Sequence, residues 1–246
     1  GCLADGSGKI TISGQEGEYT YTYDVDSDNK NARTIQGFST GAQSKMFDDC
    51  PGCPYKDFEE FYNYYGEFDY ANQWVTAALL GESTSFTNGN ADFNTYGNAG
   101  RREAVKKGTA YMSVWMYVIR ELEDAIDDCQ VECEFDNCNE DAVHAWDEAV
   151  AFYAGSEEGS DGSGDGALLY SLADKRCQNF KTCGSNGDSV DGTAKVNLEI
   201  YAQLAAGQMN LNLGNCQGAR ENKDHISELM GVPLVQGVLR YAHKIE

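Results

Sequence analysis

Tyr65 and Asp69 stand four residues apart in a stretch, 55–80, whose apolar positions recur at helical spacing. On one continuous helix a phenol and a carboxylate would therefore face a single point. The apolar stripe of that stretch is Phe58, Phe61, Tyr65, Phe68, Val75 and Leu79, and Asp69, Asn72 and Thr76 fall on or beside it. Polar groups inside an apolar stripe are costly to bury unless something pairs with them. Phenolate and carboxylate oxygens are the donors that a hard trivalent cation such as Fe³⁺ favours. The competing account is an internal arginine that neutralises Asp69.

Arg176 is such an arginine. It interrupts the stripe Leu169, Leu172, Ala173 and Phe180 on a predicted helix over 167–180. An inward guanidinium either pairs with an inward carboxylate or holds a small anion, and both readings stay open at this level. On a predicted helix over 101–128, Tyr117, Glu121, Asp124 and Asp128 line the flank of the core stripe. Glu121 lies nearest the core edge and is the best carboxylate ligand there; the rest of the line is expected to face solvent. A helix over 139–154 sets His144 and Glu148 one turn apart, close enough to share a metal, but opposite Trp146 of its apolar stripe. The expected metal ligands are thus Tyr65, Asp69, Glu121, His144 and Glu148, and Arg176 is the expected anion-binding residue.

Other chemistries lack their residues. There is no HExxH, and no Glu with a His three residues on, as di-iron bundles require. The loop Gly159–Gly166, capped by Asp165, lacks the Lys-Ser/Thr of a phosphate loop and reads as a helix–helix connection. Asp24, Asp26 and Asp28 open like a calcium loop, but Asn29 and Ile35 stand where its Gly and bidentate Glu belong. A binding protein is expected rather than an enzyme.

Forty acidic residues against 18 basic ones give a net charge of −22. Such a surface repels nucleic-acid phosphates and anionic lipid, and attracts cations. No apolar run approaches the roughly 18 residues of a spanning helix, so no membrane insertion is expected.

These groups need a scaffold. Residues Lys9–Ser13 and Glu18–Asp24 alternate with period two and predict a hairpin. From Tyr55 onward the period is helical, with further helices over 194–213, 220–230 and 233–244, Pro233 opening the last. Nine cysteines, with Cys50–Cys53 the one CxxC, suit disulfides better than a zinc ribbon. The expected fold is mainly α: a disulfide-stapled helical bundle over 49–246 with a small N-terminal β-hairpin appendage over 1–48. An oxidising compartment follows, and the chain is expected to be secreted, periplasmic or on the cell surface. Its first residues carry no basic-then-apolar leader, as expected of an already processed exported chain. The odd cysteine, Cys2 by its position, would be free or would join chains into a homo-oligomer.

Longer stretches add a resemblance. Trp146-Asp-Glu-Ala-Val-Ala-Phe-Tyr-Ala-Gly155, Ala167-Leu-Leu-Tyr170, Leu172-Ala-Asp-Lys-Arg-Cys177-Gln-Asn-Phe180, Tyr64-Tyr-Gly-Glu-Phe-Asp-Tyr-Ala-Asn-Gln-Trp74 and Val232-Pro-Leu-Val-Gln-Gly-Val-Leu-Arg-Tyr241 are gapless. Over roughly residues 50–245 the chain resembles the algal and protist low-iron-inducible (high-carbon-dioxide-inducible) periplasmic proteins, whose domain recurs in phytotransferrins. The resemblance implies a disulfide-bonded helical protein that assists iron assimilation by binding ferric iron with carbonate. A surface or filament subunit on the same scaffold, without a metal role, is the alternative.

Overall fold

The computed structural model describes residues 6–14, 17–25, 34–132, 140–155 and 168–245. Cys2, Cys133, Cys138, Asp26, Asp28 and the Gly159–Gly166 loop lie outside them. Strands β1 (Gly6–Gly14) and β2 (Gly17–Val25) pair antiparallel with Gly14 opposite Gly17, giving the expected hairpin. The described residues then hold nine α-helices: α1 (Ile35–Thr40), α2 (Lys56–Tyr65), α3 (Tyr70–Leu80), α4 (Asn98–Gly108), α5 (Trp115–Glu132), α6 (Glu140–Ala154), α7 (Leu168–Phe180), α8 (Lys195–Asn212) and α9 (Cys216–Ile245). The mainly α, disulfide-stapled bundle is what the residue pattern predicts.

Helix α5 is the central rod. It packs against α2, α6 and α9, while α8 lies along α9 and α3 along α4. Trp115, Ile119, Leu122, Ala125, Ile126 and Cys129 are buried on it, beside Trp146 and Tyr153 of α6 and Ile226 and Met230 of α9. Disulfides Cys129–Cys216, Cys177–Cys183 and Cys50–Cys53 fix the α5–α9 joint, the end of α7 and the loop ahead of α2.

Four expectations are corrected. Helical structure begins at Ile35, where Thr34 accepts the Gly37 N–H at 2.9 Å as an N-cap, and Phe38, Ala42 and Met46 join the core. The stretch 55–80 is two helices. Gly66 sits at φ +78°, in the left-handed region that ends helices, and a Cβ there would overlap Thr87. In contrast, 220–230 and 233–244 form one helix, α9, with Pro233 inside it. Proline removes one backbone donor, but Ile226, Met230 and Leu234 keep both halves on the core. Finally, α4 and α5 are joined by a wider π-helical segment, Thr109–Val114, within the stretch expected as one helix.

Candidate functional site

Of the line Tyr117, Glu121, Asp124 and Asp128 on α5, Tyr117 and Glu121 are buried and Asp124 and Asp128 are half-buried. Glu123 and Asp127, outside that line, are buried as well. Each carboxylate has partners. Arg120 reaches Glu121 at 2.6 Å and Asp124 at 2.9 Å, bracketing two acids from one guanidinium. Lys223 of α9 reaches Glu123 at 2.6 Å and Asp57 at 2.9 Å, and Arg220 joins Glu123 at 3.0 Å. Asp127 accepts from the Tyr55 hydroxyl at 2.7 Å and from the Gly52 N–H at 3.1 Å. These contacts neutralise buried charge and tie α2, α5 and α9 together.

The expected ligands are distributed as follows. Tyr65 ends α2 and Asp69 precedes α3, so the helix break removes the one-turn relation assumed for them. Tyr65 stacks on Tyr70 with ring centroids 4.7 Å apart, and burial, with the neighbouring Tyr64, pushes its phenol up. Asp69 is held by Gln73 at 2.7 Å and Asn72 at 3.0 Å, with no internal arginine among its described partners. Glu121 is bound to Arg120. His144 and Glu148 do come together, 3.5 Å apart, with the imidazole 75% exposed. Among the described residues, no three His, Cys, Asp or Glu side chains converge as a set able to hold a metal.

Arg176 is different. It is 8% exposed, its Nε has no hydrogen-bond partner, and no carboxylate among the described residues pairs with it. The ion pair with Asp69, one of the two open readings, is not formed among the described contacts. Its charged neighbourhood consists of Arg240, Tyr241 and Tyr111, drawn from α9 and from the segment between α4 and α5. Burial, with the like charge of Arg240, lowers the guanidinium from its ordinary value.

The two phenols respond in opposite directions. Burial raises Tyr111, and Arg176 partly offsets it. Tyr241 is lowered, first by a hydrogen bond that Lys107 donates at 3.2 Å, and further by the charges of Lys107, Arg240 and Arg176. A guanidinium is a donor type that suits an anion, and phenol oxygens are a donor type that suits a hard cation. Residue pattern alone located Arg176, because it breaks an apolar stripe. It did not single out Tyr111 or Tyr241, which only tertiary packing couples to Arg176.

The family model of the low iron-inducible periplasmic proteins matches residues 30–246, and the chain belongs to that family. No curated protein and no solved structure matches it. No helix among the described residues is long and apolar enough to cross a membrane.

Proposed function

We propose that this member of the low iron-inducible periplasmic family binds ferric iron together with an oxyanion such as carbonate, for uptake. It would do so outside the cell, in the periplasm or at the cell surface, as a binding protein rather than an enzyme. The observation that carries the reading is Arg176, a buried cation that no carboxylate among the described residues pairs with, under the electrostatic influence of two phenols.

In this account Arg176 holds the anion and Tyr111 and Tyr241 offer phenolate oxygens to the iron. The Tyr241 phenol is the readier of the two, since Lys107 already favours its ionised form. The carboxylates are poorer donors because their contacts are internal: Glu121 is spent on Arg120 and Asp69 on Gln73 and Asn72. The exposed His144–Glu148 pair remains an outer site where cations meet the acidic surface. Acidification would protonate carbonate, remove the ligand shared by Arg176 and the metal, and free the iron.

Ferric binding measured by metal content after desalting tests this. About one iron per chain with bicarbonate, and marked loss in Arg176→Gln, is expected. Binding that is absent, or indifferent to both bicarbonate and Arg176, contradicts it.

A further inference from the structure

The chain has 18 basic residues against 40 acidic ones, yet three cations from three helices gather at one phenol. Lys107 of α4 hydrogen-bonds the Tyr241 hydroxyl and stands 5.0 Å from that ring's centroid. Arg240 of α9 places its guanidinium 5.3 Å from the same centroid. Arg176 of α7, buried and with its Nε unpartnered, acts on both Arg240 and Tyr241. One described carboxylate, Glu103, lies near, 3.8 Å from Lys107. Three positive charges against one negative leave a surplus of two.

Helix dipoles explain part of this. Lys107 is in the last turn of α4, where a cation complements the carbonyl end. They do not explain two mutually repelling guanidinium groups, one of them buried with its Nε unpartnered among the described residues. The site is also open on one side: Tyr241 is 46% exposed and the Lys107 side chain 41%. The Tyr241 ring and the Lys107 ammonium are thus reachable from solvent.

We propose that Arg176, Arg240 and Lys107 form a binding site for a di- or tricarboxylate, the class of small anion that chelates ferric iron. This rests on the iron-and-anion reading above and names the class of its anion. Guanidinium forks match carboxylates with two parallel hydrogen bonds each. Cations spread over three helices suit several carboxylates on one molecule better than one three-oxygen anion. Phosphate sites are commonly built on backbone N–H groups at helix N-termini; none of these three residues stands at one. Carbonate is then a smaller competitor for the same groups.

Titration calorimetry on the iron-free chain, with citrate, bicarbonate and phosphate as separate probes, reads the site without any metal. Citrate is expected to bind one per chain, at least about tenfold tighter than either other anion, given its extra charge-assisted hydrogen bonds. Arg240→Gln and Lys107→Gln, both at partly exposed positions, should each weaken citrate by about tenfold or more with the circular dichroism unchanged. A silent citrate titration, phosphate binding as tightly, or indifference to both variants overturns the inference. Ferric binding with bicarbonate but no citrate binding sinks this proposal and spares the iron reading. Citrate binding without ferric binding under any condition does the reverse.

Discussion

Tyr55 and Asp127 share a hydrogen bond of 2.7 Å between two almost wholly buried groups, 72 residues apart in the chain. The second partner of the same carboxylate oxygen is the Gly52 N–H, so the Cys50–Cys53 loop, the start of α2 and the central helix meet there. The other oxygen, Oδ1, is buried without a partner. Burial and the carboxylate hold the Tyr55 phenol far above its ordinary range, so it stays a donor at any physiological pH.

Tyr55→Phe therefore strands a buried carboxylate. The expected cost is about 2–3 kcal/mol, since a charged group loses its better donor and gains no water. Urea denaturation measures it; a loss under about 0.5 kcal/mol, the scale of neutral surface changes, would contradict the assignment.

Lys223 gives a pH-dependent prediction. Burial alone would lower its pKa, but Glu123 and Asp57 outweigh burial and raise it above its ordinary 10.5. The folded state then holds its proton more tightly than the unfolded state. Its stabilisation is fully present below pH 10.5 and is lost as pH rises through the higher folded value. Lys223→Met leaves Glu123 with only Arg220 and should cost about 3–5 kcal/mol at neutral pH. Melting curves for both proteins between neutral and strongly alkaline pH should converge at the alkaline end. A constant gap would contradict this.

Gly207 of α8 lies against the face of Trp146, whose Nε1–H donates to the Leu204 carbonyl at 2.9 Å. A Cβ at 207 would overlap the indole. Alanine normally improves a helix by about 1 kcal/mol over glycine, but overpacking a buried ring costs about 1–3 kcal/mol. Gly207→Ala is expected to lower the melting temperature and shift the tryptophan emission. A stabilised variant would show that the indole moves freely.

The residues announce the helices because apolar positions at 3.6-residue spacing belong to each segment by itself. The errors fall where local period and tertiary context disagree. The period runs through Gly66 unbroken, so Tyr65 and Asp69 looked like one face until the left-handed glycine divided them. Pro233 looked like a helix start because the packing that sustains α9 around it lies on other helices. Glu123 was not singled out because Lys223 and Arg220, its counter-ions, come from the far end of the chain. Arg176 was readable because its own helix is apolar on either side. Its phenol neighbours were not, since no spacing links 111, 176 and 241.

The most direct test of the account is the phenolate-to-iron charge-transfer band during ferric titration with and without bicarbonate. A visible band that needs the anion, reaches about one iron per chain, and is lost in the Tyr111→Phe/Tyr241→Phe double variant but kept in Tyr65→Phe is the predicted result. A band that survives the double variant would place iron elsewhere. No band under either condition would remove the phenolate–iron assignment altogether.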